Sequence, residues 1–183
     1  MSTEPEASGL RNRGLIAQQS VGIGESEHMD NPFMARAIQL SMENVDSGRG
    51  GPFGAVVVRD GAIIAEGANQ VTSANDPTAH AEVVAIREAC QKLGVFALDG
   101  CEIYSSCEPC PMCLGAIYWA RISRVYFGNA DADASRIGFD DSLIYRELAQ
   151  PHSQRKIPMI QMMREQAQAA FYAWENKPNK IEY

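Results

Sequence analysis

The tightest constraint on this chain is a pair of short motifs that must serve one site. His80-Ala81-Glu82 and Pro109-Cys110-Pro111-Met112-Cys113 lie about thirty residues apart, each where a helix is predicted to begin. Cys110 and Cys113 are three apart, so the first turn of one helix presents both sulfurs on the same side, at a spacing that suits a tetrahedral zinc. His80 supplies the third bond. His80 and Glu82 are two apart and share no helix face, so an ion served by both sits off the helix's N-terminal end rather than along its side.

Taken singly, neither motif decides anything. A lone His-x-Glu near a helix start is usually a surface pair, and a lone Cys-x-x-Cys is more often a structural zinc site or a redox pair. Together, with Pro109 in place, they match the zinc-deaminase signature. Three protein ligands, His80, Cys110 and Cys113, leave one coordination position for water, whose pKa falls from about 16 to about 7 on the metal. The electropositive helix end also favours hydroxide. The rival arrangement is a closed structural site with Cys107 as fourth ligand, although Cys107 lies upstream of Pro109, in a loop. Cys90 and Cys101 read as ordinary core thiols.

Around these motifs the chain divides simply. Residues 1–28 mix Ser, Glu, Gly and Gln without sustained periodicity and read as a disordered tail, which leaves 29–183 as one domain. Asn31-Pro32 reads as an N-cap followed by proline at the first helical position, with Phe33, Ala37, Ile38, Met42 and Val45 at helical spacing and Gly48 as the stop. Phe53–Arg59 and Ala62–Ala65 are strand-like runs joined by Asp60-Gly61, a strong hairpin signal. Asp76-Pro77 opens a helix that runs to Gly94. Further strands are predicted at Glu102–Ser105, Val125–Gly128 and Ile157–Met162, and helices at Met112–Trp119, Asp141–Leu148 and Glu165–Trp174. Strands alternating with helices predict an α/β fold, a layered sandwich expected to have three layers, α/β/α, on a mixed sheet of about five strands.

Composition narrows the partners. A folded part of about 150 residues can bury roughly 70% of its surface. Hydrophobic residues make up 45% of the chain and charged residues 21%, the balance of a globular protein. The net charge is −7, from 16 Lys+Arg and 23 Asp+Glu with no basic block, which argues for a small-molecule substrate and against nucleic acid. Five cysteines, four of them clustered at Cys101, Cys107, Cys110 and Cys113, fit metal or thiol chemistry in a reducing compartment better than a disulfide scaffold. The first 28 residues carry no signal-peptide core and no stretch approaches transmembrane length, so the cytoplasm is expected and no membrane partner is.

From Gly50 to about Met162 the sequence resembles the small bacterial-type guanine deaminases, a branch of the cytidine and deoxycytidylate deaminase superfamily. The likeness is carried by GGPFGAVVVRDGAIIAEG, NDPTAHAEV, YSSCEPCPMCLGAIYWAR and IGFDDSLIY, with IGFDD and Tyr183 pointing most specifically to guanine. The resemblance implies that His80, Cys110 and Cys113 hold one zinc per subunit. It implies that Glu82 shuttles protons while guanine is hydrolysed to xanthine and ammonia. By the same resemblance Asn69 hydrogen-bonds the purine, Phe53 packs against its ring, and Asp141 contacts or protonates the leaving amine. Read without it, these three are equally a turn residue, a core aromatic and a helix cap. Trp119 reads as core or interface. The resemblance further implies a homodimer in which the C-terminal segment 163–183, ending in Tyr183, is exchanged between subunits and covers the site. Guanosine, cytosine and tRNA-adenosine deaminases are the competing activities, and a non-enzymatic zinc module is the competing class.

Overall fold

A computed structural model describes residues 30–182 of the chain; the expected tail at 1–28 and Tyr183 lie outside the described residues. Helix α1 (Pro32–Ser47) starts as its sequence dictates: Asn31 Oδ1 accepts from Phe33 N and Met34 N, each at 3.0 Å, and Pro32 presets the first helical φ. Gly48, at φ 64°, ends it in the left-handed region. Asp60 and Gly61, both at positive φ, make the two-residue turn between β1 (Gly54–Arg59) and β2 (Ala62–Ala68). There follow α2 (Val71–Ala74), α3 (Ala81–Leu93), β3 (Glu102–Cys107), α4 (Pro111–Trp119) and β4 (Arg124–Asn129). The last three helices are α5 (Asp131–Arg136), α6 (Ser142–Ala149) and α7 (Arg164–Glu175).

The strands lie in the order β2-β1-β3-β4. β1 is antiparallel to both neighbours, and β3 and β4 are parallel with α4 as the crossover between them. Strand alternation sends Ala55, Val57 and Ile103 to the face covered by α3 and α4, where they meet Ala85, Ile86 and Ile117. Val56, Val58 and Tyr104 go to the other face, against Ala37 and Leu40 of α1. Helices on both faces explain why β1 is a continuous apolar run rather than an alternating one. This is the predicted three-layer α/β/α sandwich. Gly67 lets α3 begin close against the sheet, since a Cβ there would fall 2.1 Å from Ala81 O.

Three expectations need correction. The mixed sheet has four strands, not about five, among the described residues: Ile157–Met162 carries no regular structure, with Ile157 77% and Ile160 80% exposed. Pro158 deletes a backbone donor in that run, and among the described residues the run pairs with no strand. The helix predicted to open at Asp76-Pro77 begins only at Ala81. Asp76 Oδ1 instead accepts from Thr78 N at 2.8 Å and Thr78 Oγ1 at 2.7 Å, a local turn that competes with helix entry. Trp119, at the end of α4, is 72% exposed, which overturns the core half of its reading and leaves the interface half, whereas Cys101 is fully buried and Cys90 packs against the core cluster.

Candidate active site

Both motifs fall at helix N-caps. His80 caps α3 and Cys110 caps α4, with Pro111 as the next residue, yet neither side chain makes the usual capping hydrogen bond to its own helix. They turn toward one another instead. His80 Nδ1 lies 3.6 Å from Cys110 Sγ and 3.5 Å from Cys113 Sγ, and the three donor atoms all lie within 4.8 Å of each other. Zinc bonds of about 2.05 Å to nitrogen and about 2.3 Å to sulfur, at the tetrahedral angle, put N and S about 3.6 Å apart. The donor set therefore fits zinc in both softness and spacing. Cys107 does not join it: its Sγ faces Ala130 O at 3.9 Å, and burial pushes its thiol up to about 11. Among the described residues Cys107 thus stands apart from the cluster that His80, Cys110 and Cys113 form.

The electrostatics point the same way. The Cys113 thiol beside Cys110, followed by the His80 imidazole, holds the Cys110 thiol down at about 4, and the same contact pushes the Cys113 thiol up. His80 is raised in turn, chiefly by Cys110. Glu82, in the first turn of α3, is buried beside the cluster at 6% exposure. Ser105 Oγ donates to Glu82 Oε1 at 3.0 Å, and Cys113 Sγ lies 3.3 Å from Oε2. Desolvation raises the Glu82 carboxyl above the ordinary carboxylate range, against the pull of these hydrogen bonds.

His80, Glu82 and Cys110 line a cavity of about 430 Å³ that Phe53, Asn69, Asp131, Phe139 and Asp141 also wall. The Phe53 and Phe139 rings meet edge to face, 4.9 Å between centroids. Asn69 is 5% exposed, and its Oδ1 accepts from Gly51 N and Val71 N, both at 3.2 Å. With the oxygen so engaged, the amide nitrogen is the end left for the cavity. Behind it the buried Asn44 donates to Asn69 O at 2.9 Å and to Gly51 O at 2.8 Å. Asp141 Oδ1 is buried with no hydrogen-bond partner among the described residues. Burial, and then the neighbouring Asp131 carboxyl, push the Asp141 acid up to about 6. Asp140 has the plainer role, accepting from Ser142 N at 2.9 Å as α6 begins.

His80, Glu82, Cys110, Cys113, Phe53, Asn69 and Asp141 therefore converge on one space, while Tyr183 lies outside the described residues. Sequence reasoning missed Asp131, Phe139, Asn44 and Ser105. Asp131 comes to the site because β4 runs parallel to β3 with Asn129 opposite Cys107, so the residues just past both strands share one sheet end, a register that the sequence does not display. Phe139 stood inside the IGFDD segment without a role.

Known proteins share this sequence and architecture. The profile of the cytidine and deoxycytidylate deaminase zinc-binding region matches residues 27–129. Guanine deaminase of Bacillus subtilis (strain 168) is 57% identical over 151 residues, 82% of this chain and 97% of that one. An X-ray structure of guanine deaminase from Bacillus subtilis superposes with a TM-score of 0.80, over 82% of this chain and 96% of that one. Guanine deaminase from Nitrosomonas europaea, 35% identical, superposes with a TM-score of 0.57 over 60% and 63% of the two chains. A tRNA-specific adenosine deaminase of Agrobacterium fabrum (strain C58 / ATCC 33970) is 50% identical, but over 80 residues, 44% of this chain and 53% of that one.

Proposed function

Because the chain belongs to the cytidine and deoxycytidylate deaminase family and, within it, to the guanine deaminases, we propose that it hydrolyses guanine to xanthine and ammonia. The observation that carries this reading is a buried carboxylate, Glu82, set beside three converging zinc ligands at an aromatic-walled cavity. His80, Cys110 and Cys113 would hold zinc, one per subunit, and the bound ion would supply the Lewis acid that brings water's ionisation to near neutral pH.

The chain's own groups do the rest. Water adds at carbon 2 of the purine and the amino group leaves, so a C–O bond forms, a C–N bond breaks, and no electrons change hands. Glu82 accepts the water proton, delivers it to a ring nitrogen and helps expel ammonia. Asn69 offers amide N–H donors to the acceptor edge of guanine, where a 6-aminopurine presents an amino group instead. Phe53 packs on the ring, braced by Phe139. Asp141, with an oxygen in want of a partner, receives the leaving amine.

The same reading extends to a homodimer. Trp119, Phe171 (77% exposed) and Ile160 (80% exposed) form apolar surface of the kind that a second subunit covers. Exchange of segment 163–183 between subunits would bring Tyr183 over the partner's cavity, excluding water and nucleic acid and favouring a free base. We assign the enzyme to purine breakdown in the cytoplasm, which the free thiols Cys90, Cys101 and Cys107 fit. No helix among the described residues is long and apolar enough to cross a membrane.

The test is ammonia release from zinc-loaded protein offered guanine, guanosine, cytosine, adenine and a tRNA anticodon stem-loop, with Glu82→Gln as control. Turnover of guanine alone, lost in the variant, sustains the reading. Turnover of guanosine or RNA with guanine inert overturns the substrate and leaves the zinc chemistry standing.

A further inference from the structure

The reaction as described makes no use of Ser105, yet the residue is 1% exposed beside a largely apolar cluster. Alternation along β3 puts Ser105 on the side of Ile103, facing α3 and α4. Ser106, on the opposite side, accepts from Gly54 N at 3.0 Å. Burying a hydroxyl is unfavourable unless it is bonded, and Ser105 Oγ donates to Glu82 Oε1 at 3.0 Å. Ser105 is absent from the cavity wall, so it reaches the substrate only through Glu82.

This contact makes the two carboxylate oxygens unequal. The terminal torsion of a glutamate is broad, and an unanchored carboxylate turns freely about it. Oε1 is tied to the sheet by Ser105, whereas Oε2 stands 3.3 Å from Cys113 Sγ, on the side of the ligand set. A group that takes a proton in one direction and releases it in another works best when only one of its oxygens must travel, because small misplacements at a reacting centre are costly. We propose that Ser105 is a positioning residue that anchors Glu82 Oε1 and thereby makes Oε2 the oxygen through which Glu82 moves protons. The proton passes from water to Oε2 and from Oε2 to the ring nitrogen, while Ser105 keeps its own proton throughout. The assignment rests on the guanine deaminase reading of the site.

The test compares wild type, Ser105→Ala, Ser105→Thr and Ser105→Cys as full-length zinc-loaded chains. The readouts are kcat and KM for guanine, Kd for xanthine by calorimetry, zinc per chain, and Tm. Ser105→Ala is expected to lower kcat about ten-fold, equivalent to about 1.4 kcal/mol, with KM, Kd and zinc content within about two-fold of wild type. Ser105→Thr keeps the hydroxyl and is expected to retain at least about a third of kcat. Ser105→Cys, a weak donor of similar size, falls between the two. An alanine variant with lowered Tm but unchanged kcat marks a merely structural serine and overturns the proposal, as does a threonine variant as slow as alanine. Should the alanine variant fail to fold, cysteine against threonine carries the same comparison. A wild type inert toward guanine removes the underlying reading at the outset, before any variant is compared, so the two failures are distinct.

Discussion

Asn44→Ala should loosen the cavity wall from behind. Asn44 lies in α1 at 1% exposure and donates to Gly51 O at 2.8 Å and to Asn69 O at 2.9 Å, joining the two segments that carry Phe53 and Asn69 to the site. Alanine removes both donors. Gly51 O also accepts from Phe53 N at 2.8 Å, so its loss is that of an ordinary net hydrogen bond, about 1 kcal/mol. Asn69 O relies on Asn44, and a buried carbonyl left without its donor costs about 1–3 kcal/mol. The sum is about 2–4 kcal/mol, which for a domain of this size lowers Tm by on the order of 5–15 °C. There is little room for a benign adjustment, because Gly50 already approaches so closely that a Cβ there would fall 2.1 Å from Asn69 O. Freed of its tether, Asn69 should meet guanine less well, raising KM several-fold and lowering kcat less. Urea denaturation of the zinc-loaded proteins, with ammonia-release kinetics on the same samples, measures both. A loss of stability below about 1 kcal/mol together with an unchanged KM would refute the reasoning.

Three further outcomes are expected. Glu82→Gln should cut kcat by about 10²–10⁴ while metal analysis finds zinc content unchanged, and loss of the metal along with activity would make Glu82 a structural support instead. Stripping zinc with a chelator should abolish turnover and lower Tm, both returning on re-addition; a Tm indifferent to zinc would contradict the joining of α3 to α4 through the ion. Arg36 grips Glu66 with two hydrogen bonds, 2.8 and 2.7 Å, and that contact holds the Glu66 carboxyl below its ordinary value. A depressed folded-state pKa stabilises above the unfolded-state value and is lost as pH falls through the folded one. Because the pair is partly exposed, a double-mutant cycle should give only about 0.5–1 kcal/mol at pH 7, vanishing in acid. A coupling that grows on acidification would reverse the sign and the argument.

What could be read from the sequence is what local chemistry restricts. His80, Cys110 and Cys113 were legible because metal ligation allows few residue types at few spacings. Asn31-Pro32 and Asp60-Gly61 were legible because a cap and a tight turn are decided within a few residues. Ile157–Met162 has the apolar composition of a strand, but a strand also needs a neighbour, which composition does not reveal. Asp76-Pro77 carries genuine helix-start residues, and only the competing bonds to Thr78 decide otherwise. α2 and α5, at 4 and 6 residues, are too short to show a period. Ser105 and Asn44 act across 23 and 25 residues of chain, on partners that only the packed sandwich brings within reach.

The uncapped starts of α3 and α4 have a consequence beyond the reaction. A capping side chain contributes about 1 kcal/mol at a helix start, and α3 and α4 both go without it while His80 and Cys110 face the ligand cluster. An ion bound by His80, Cys110 and Cys113 would therefore tie two helix starts together at a single spot, doing for both first turns what a capping side chain does for one.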